Sequence, residues 1–208
     1  MAGAGVAENE ASLSWRGELW RKAIHLTSLA IPAGYFIFDA RQVLLILIGL
    51  LISCAFFDLM RFFGNDSVKK FMGLNFGFML RPREKKSFSG ATTILLAGLL
   101  VFLFYDKRIA AAAMVIVVIG DVAAALIGRT IGRFRIYYKT LEGTLAFIAF
   151  TAVAIRIVPG LSWKIVIVGV IAGAITELLP LPIDDNISVP LVAGGFMQLL
   201  FNQQLMYR

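Results

Sequence analysis

The chain has 208 residues, of which 59% are apolar and only 16% are charged, whereas an ordinary soluble domain has about 45–50% and about 25%. A soluble fold of this size cannot hide so much apolar surface, so the composition excludes soluble globular and disordered classes and predicts an integral membrane protein. The net charge of +7 fits the excess of Lys and Arg in the cytoplasmic loops of membrane proteins, and we do not interpret it as nucleic-acid binding.

Seven apolar runs predict membrane-spanning helices, because about 20 residues, or somewhat fewer with snorkelling side chains, cross the hydrocarbon core. In chain order the runs are 23–38, 42–57, 91–105, 109–128, 143–158, 163–179 and 188–201. We therefore predict a single all-α membrane domain over 1–208, a polytopic helical bundle of about seven spans. Segment 1–15 is expected to be a flexible cytoplasmic N-terminus, and 58–90 a cytoplasmic loop that lies partly at the membrane interface.

The charged residues divide unevenly between the two sides of this arrangement. Fourteen of the 20 Lys and Arg residues fall on the side of the N-terminus, which the positive-inside rule assigns to the cytoplasm. Of the 13 acidic residues, all but Asp39 and Asp106 fall on the same side. The rule does not predict this gathering of both signs, so we interpret it as a polar site at the cytoplasmic face.

Asp121 lies inside an apolar run, where an ionisable group marks a functional or paired site. Gly128 and Gly132 follow on its helix face, and their lack of side chains would let a phosphate or lipid headgroup approach the backbone. Positive charge suited to a polyphosphate follows closely, in Arg129, Arg133, Arg135 and Lys139. For the two glycines alone, close helix packing explains the spacing equally well.

A second polar segment, 176–190, carries Glu177, Asp184, Asp185 and Asn186 but no Lys or Arg. Carboxylate and amide oxygens are the ligands that Mg²⁺ shares with nucleotide phosphates. The alternative is a solvated turn, since Pro, Asp and Asn are common turn residues.

The single histidine, His25, follows Arg21 and Lys22 by about one helical turn where the first apolar run begins. A histidine there suits a proton acceptor or a phosphate contact near neutral pH, and a structural histidine fits equally well.

A basic loop that includes Lys86 leads into Ser89 and Gly90 at the head of the third run. A helix N-terminus beside Lys and Arg binds anions, although a topogenic loop touching anionic lipid explains the charges as well.

In chain order, these segments resemble the dolichol kinase, phytol kinase and CTP-dependent diacylglycerol kinase family of integral membrane proteins. The residues that carry the resemblance are Arg21-Lys22-x-x-His25, Ser89-Gly90, Gly120-Asp121…Gly128-Arg129…Gly132-Arg133…Lys139-Thr140-x-Glu142-Gly143 and Glu177…Asp185-Asn186…Pro190. The resemblance covers residues 16–200 and is to the short bacterial-type members. It implies transfer of the γ-phosphoryl group of CTP to the hydroxyl of a membrane lipid alcohol, with Mg²⁺ or another divalent cation, at the cytoplasmic face of a bacterial inner membrane.

Phosphoryl transfer needs aligned oxygens and neutralisation of the triphosphate charge, which suggests roles for these residues. Asp121 and His25 are the candidates for the catalytic base, and Asp121 with Asp184 and Asp185 for holding Mg²⁺. Contacts to the nucleotide and its phosphates are expected from Arg129, Lys139, Lys86, Ser89, Gly128, Gly132, Glu142, Gly143 and Asn186. The expected partners are CTP, a lipid alcohol and the bilayer, with no nucleic acid. The choice among diacylglycerol, phytol and polyprenol, of CTP over ATP, and of oligomeric state stays open.

Two other functions remain as alternatives. The stretch from Gly120 to Gly143 also resembles CDP-diacylglycerol synthases, which transfer the cytidylyl group of CTP to phosphatidate, but their His-Gly-Gly…Asp-Arg signature is absent here. A small transporter or lipid flippase would use Asp121 and Glu177 as proton or ion sites. It predicts polar groups reachable from both faces, whereas the acidic residues gather toward one, so we rank it third.

Overall fold

The structure is a computed structural model that describes residues 15–67, 70 and 87–206. The predictions of a flexible N-terminal segment, of an interfacial stretch within the loop, and of a phosphate contact from Lys86 lie outside the described residues. For the rest of the chain, the bounds of each element follow.

The fold is helical, as predicted. The helices are α1 Trp15–Thr27, α2 Ala30–Ile37, α3 Ala40–Phe63, α4 Gly90–Phe104, α5 Lys107–Ile131, α6 Leu141–Ala154, α7 Trp163–Leu178 and α8 Asp185–Met206. A short antiparallel hairpin, β1 Arg135–Ile136 and β2 Lys139–Thr140, separates α5 from α6. A turn of 3-10 helix, Ile155–Ile157, follows α6.

Helix α5 forms the centre of the bundle. Every side chain from Ile109 to Val118 is buried, and the helix packs against α1, α2, α4, α6, α7 and α8. Four consecutive alanines, 110–113, leave little side-chain volume on any face, so neighbouring helices can approach from several sides at once.

Two of the described helices, α3 and α5, are long and apolar enough to cross a membrane, and α4 is apolar but shorter. The apolar window of α5 is 67% buried inside the bundle, whereas that of α3 is only 17% buried. Helix α3 therefore presents most of its apolar side chains outward at the edge of the bundle. This composition supports association with a membrane, and the number of about seven spans stays a prediction.

Two predicted boundaries differ from the structure. The first apolar run, 23–38, is divided between α1 and α2, where the N–H groups of Ser28 and Leu29 bond to carbonyls three residues back. Pro32 fits this break, because a proline is tolerated in the first turn of a helix but not in its interior. The loop predicted to begin at residue 58 is wrong at its start, since α3 continues to Phe63 and buries Asp58 to 4% exposure.

Candidate functional site

Polar side chains from most elements meet at one end of the bundle. At this end α3, α5 and α7 finish and α4, α6 and α8 begin, as the contacts between Asp58 and Ser89, and between Lys139 and Glu177, establish. Successive helices that run in opposite directions bring alternate loops together, so residues far apart in the chain become neighbours there.

The carboxylate of Asp121 is held by a buried lysine. The Nζ atom of Lys22 lies 2.5 Å from Oδ2 of Asp121 and donates a second hydrogen bond of 2.8 Å to its backbone carbonyl. Lys22 is only 2% exposed, and a buried ammonium requires such a counter-charge. His25, one turn further along α1, places Nε2 3.5 Å from the same carboxylate oxygen. The prediction that Asp121 and His25 belong to one site thus agrees with their positions, and Lys22 joins them.

Lys139 is the centre of a second group. Its Nζ atom lies 2.9 Å from Oε1 of Glu177 and 3.0 Å from Oδ2 of Asp185, and it also donates to the backbone carbonyl of Glu177. Burial opposes the charged ammonium, but the attraction of the two carboxylates outweighs it and raises the pKa of Lys139 above its ordinary value. Lys139 is therefore charged at neutral pH, and a phosphate would compete with two carboxylates for it.

The hairpin between α5 and α6 positions Lys139. Its turn residues are Tyr137 and Tyr138, and Tyr137 has a φ of 56°, as the primed turns of two-residue hairpins require. Glu142 anchors the approach to the hairpin, because its carboxylate accepts hydrogen bonds from the backbone N–H groups of Arg133 and Phe134. Glu142 was predicted to contact the nucleotide or its phosphates, and in the structure its carboxylate holds the backbone N–H groups of Arg133 and Phe134.

Asp58 organises the beginning of α4. Its Oδ2 atom accepts hydrogen bonds from the backbone N–H and the hydroxyl of Ser89 and from the hydroxyl of Thr92, at 2.6–3.0 Å. Its Oδ1 atom lies 2.9 Å from Nη2 of Arg61. Ser89, predicted as a phosphate contact, is thus the N-cap of α4 and is already bonded to Asp58. The sequence analysis missed Asp58, although a carboxylate directly after an apolar run was a visible signal.

Asn186 connects α8 to the same helix. Its side-chain amide donates to the hydroxyl of Thr93 at 3.0 Å, and its backbone N–H donates to Oδ1 of Asp184 at 2.9 Å. Asp184 therefore caps the N-terminus of α8. Of the two adjacent carboxylates, only Asp185 reaches the Lys139 group.

The three glycines predicted to admit a phosphate are packing positions. A Cβ atom at Gly128 or Gly132 would lie 2.7 Å from an atom of Thr140, and one at Gly143 would lie 2.9 Å from the carbonyl oxygen of Ala124. The space beside them is filled by protein, so the prediction of an open backbone surface is corrected in favour of close packing between α5 and α6.

The side chain of Arg129, near the end of α5, extends toward α1. Its guanidinium carbon lies 5.3 Å from the ring of Trp15, a distance typical of a cation–π contact. Arg133 and Arg135 are exposed near it, which gives this end of the bundle an outer layer of positive charge.

A cavity of about 530 Å³ opens beside the Asp121 group, between α1, α2, α3 and α4. His25, Asp58, Arg61 and Asn186 lie at its polar end, and Ile31, Leu50, Phe57, Ile94 and Leu95 contribute apolar wall. Its volume is within the range of small-molecule sites. The combination of one polar end with apolar walls suits an amphiphilic ligand.

The predicted metal ligands do not form a cage of protein groups. Asp121 faces Lys22, Asp185 faces Lys139 and Asp184 caps a helix, and within the described residues no three His, Cys, Asp or Glu side chains are grouped to hold an ion. Mg²⁺ bound to nucleotide phosphates needs only one or two protein carboxylates. Asp121 and Asp185 retain partly exposed side chains, 23% and 27%, and fit that more limited role.

The fold and the site together define an apolar helical protein with a charged site at one end of its bundle. A protein from Rickettsia prowazekii (strain Madrid E), named "Uncharacterized protein RP860", is similar to this chain, with 26% identity over 181 residues that cover 82% of this chain and 88% of that protein. No protein-family model and no solved structure matches the chain.

Proposed function

We propose that this chain is a membrane lipid kinase that transfers the γ-phosphoryl group of CTP to the hydroxyl of a membrane lipid alcohol. One observation carries the proposal: the Lys22–Asp121–His25 group borders an apolar cavity at the same end of the bundle as the Lys139–Glu177–Asp185 group. An amphiphilic acceptor and a polyphosphate donor need this pairing of an apolar site with a charged one.

The cavity supports an acceptor with an apolar chain. Its walls between α2, α3 and α4 are lined by Ile31, Leu50 and Ile94, so a hydrocarbon chain would bury apolar surface there. Such a chain would bring its hydroxyl to the polar end, where His25 and Asn186 lie. The lipid then need not leave the bilayer to meet a water-borne nucleotide.

The surroundings of His25 favour it as the proton acceptor. Nε2 of His25 is buried, lies 3.5 Å from Asp121 and has no hydrogen-bond partner within the described part of the chain. Oδ2 of Asp121 is already occupied by the ammonium of Lys22, so Asp121 is less available than His25 to accept a proton. In the proposed reaction the lipid oxygen attacks the γ-phosphorus, the bond to CDP breaks, and the hydroxyl proton passes to Nε2 of His25.

Asp121 and Asp185 are the proposed contacts of a Mg²⁺ that arrives with CTP. Such an ion would neutralise phosphate charge and polarise the γ-phosphoryl group. Glu177 interacts electrostatically with Lys139, Asp185 and Asp121. Asp121 and Asp185 therefore belong to one electrostatic network. Lys139 would exchange one of its carboxylate partners for a phosphate oxygen.

The proposal includes the membrane arrangement. The apolar helices α3 and α5 support a membrane protein, and we propose about seven spans in a bacterial inner membrane with the site facing the cytoplasm. The excess of Lys and Arg at the site end supports this orientation.

An isotope experiment tests the function. Protein purified in nanodiscs would be incubated with Mg²⁺, a panel of lipid alcohols and phosphatidate, and CTP labelled at either the γ or the α phosphate. Label from the γ position in an alcohol-derived lipid is the expected result, and the accepting alcohol names the substrate. Label from the α position in a product of phosphatidate would instead establish a cytidylyltransferase, and no transfer to any lipid would contradict the proposal.

A further inference from the structure

The polar end of the cavity contains buried donors that lack acceptors. The Nη2 atom of Arg61 bonds to the backbone carbonyl of Ser87 at 2.7 Å and contacts Asp58. Its Nε and Nη1 atoms are buried without a hydrogen-bond partner in the described part of the chain. Buried polar atoms without partners are costly and rare in folded proteins. Arg61 lines the cavity, so a ligand there could supply the acceptors.

The charge at this place favours an anion. Both oxygens of Asp58 are occupied, Oδ2 by donors at the start of α4 and Oδ1 by Arg61, so its charge is locally compensated. Arg21 also lines the cavity. The N-terminus of α4 adds the positive end of a helix dipole at Gly90, which borders the same space. A phosphate oxygen accepts hydrogen bonds from guanidinium groups strongly, and it has enough oxygens for several donors.

The other walls of the cavity are apolar, which favours a phosphate that carries an apolar chain over a free phosphate. Leu50, Phe57, Ile94 and Leu95 also line the cavity, and a free phosphate would leave their surface uncovered. We infer that Arg61 forms a subsite for a phosphate monoester attached to an apolar chain, with the phosphate on Arg61 and the chain along α3 and α4. The proposed function places a lipid alcohol in the same cavity, and its product would be such a monoester, so the inference rests on that function and adds the residue that holds the phosphate. Binding is measured without nucleotide, so a failure of the subsite is distinguishable from a failure of phosphotransfer.

Equilibrium binding of radiolabelled hexadecyl phosphate to the full-length protein in nonionic detergent tests the subsite. We expect saturable binding to the wild type, and in Arg61→Gln a loss of affinity of at least about tenfold, because a charged hydrogen bond is removed. Arg156→Gln is the matched control: it removes the same charge at a residue that lies over Trp163 and bonds to Leu161, and its affinity should stay within about twofold.

Competition with unlabelled ligands identifies the source of the phosphate. Hexadecan-1-ol should compete at least about tenfold more weakly than hexadecyl phosphate, since it lacks the anion. Inorganic phosphate should compete more weakly still, since it lacks the chain. Competition by inorganic phosphate at the concentration of the lipid would overturn the assignment and make free phosphate the ligand.

A second variant covers the case that Arg61→Gln does not fold. Arg61→Lys keeps a positive charge beside Asp58 but has fewer donors, and we expect it to fold and to bind hexadecyl phosphate at least about threefold more weakly. Equal affinity of the wild type and Arg61→Lys would refute the subsite, as would a folded Arg61→Gln that binds as tightly as the wild type, or an equal loss in Arg156→Gln.

Discussion

The ammonium of Lys22 and the carboxylate of Asp121, separated by 99 positions in the chain, are 2.5 Å apart and join α1 to the centre of the bundle. The pair explains how both groups are tolerated in so apolar a protein, since each supplies the counter-charge of the other. It also means that a change at Asp121 acts on stability as well as on the proposed chemistry.

Asp121→Asn should therefore lower the free energy of unfolding by about 1–3 kcal/mol, because Lys22 loses its partner. The cost is below that of a fully buried pair, since Asp121 is 23% exposed and Glu18 also lies 3.9 Å from Lys22. Chemical denaturation in detergent measures the change. The double variant Lys22→Met/Asp121→Asn should recover part of the stability, and a single variant as stable as the wild type would mean that the pair contributes nothing.

His25→Gln should reduce kcat for lipid phosphorylation by about 10²–10⁴, the usual contribution of a positioned general base. The expected signature is loss of the fall in kcat on the acid side that protonation of the histidine causes, because glutamine does not titrate. Nucleotide binding, measured separately by equilibrium dialysis, should be unchanged. A His25→Gln enzyme with normal turnover would leave Asp121 as the remaining candidate for the base.

Gly143→Ala should lower the free energy of unfolding by about 1–3 kcal/mol, since the new methyl group meets the backbone of Ala124, which cannot move aside without repacking α5 against α6. Gly49→Ala is the matched control, because a Cβ atom there has nothing within 4 Å. That control should raise stability by about 0.5–1 kcal/mol through the helix propensity of alanine. Equal effects of the two substitutions would contradict the packing role of Gly143.

Because of Glu142, the thermal stability of the protein should depend on pH. Hydrogen bonds from backbone N–H groups, first its own and then that of Arg133, hold the pKa of Glu142 below its usual value. Its ionised form therefore contributes stability that is fully present above the usual pKa of a glutamate and is lost as the pH falls through the lowered value. In thermal unfolding, the difference in Tm between the wild type and Glu142→Gln should shrink from pH 7 to pH 3.

Asp66→Asn serves as the control for Glu142, because Asp66 is exposed on the segment after α3. Its difference in Tm from the wild type at each pH gives the effect of removing an exposed carboxylate, and this effect is subtracted from the difference for Glu142→Gln. A Glu142→Gln difference that stays constant with pH would show that the carboxylate is not held in its charged form by the backbone.

The sequence contained enough to place the site at one end of a helical bundle, since the alternation of apolar runs puts Asp121, Lys139 and Asp185 on the same side. It did not show which charged and polar side chains contact one another within the site. Lys22 meets Asp121 only through the packing of α1 on α5, and no local pattern specifies a contact over 99 positions. Asp58 was assigned to a loop because a charged residue ended the apolar run, yet Ser89 and Thr92 bond to it inside the bundle.

The role of the glycines could not be predicted from the sequence for a different reason. Gly128 and Gly132 fit both a bare surface for phosphate and a close helix contact, and the spacing is the same in either case. The position of Thr140, which caps α6 and fills the space beside both glycines, decides for packing. That position depends on the hairpin of β1 and β2, whose turn at two tyrosines carries none of the Asn-Gly or Gly-rich signals of such turns.

The first turn of helix α4 is hydrogen-bonded to two different helices, α3 and α8. Asp58 of α3 holds Ser89 and Thr92, while Asn186 of α8 holds Thr93 on the next position. Helix α3 lines the cavity, and α8 begins at Asp185, which pairs with Lys139. A ligand that displaced α4 would therefore also strain the hydrogen bond to Asn186 at the start of α8, next to the residue that pairs with Lys139.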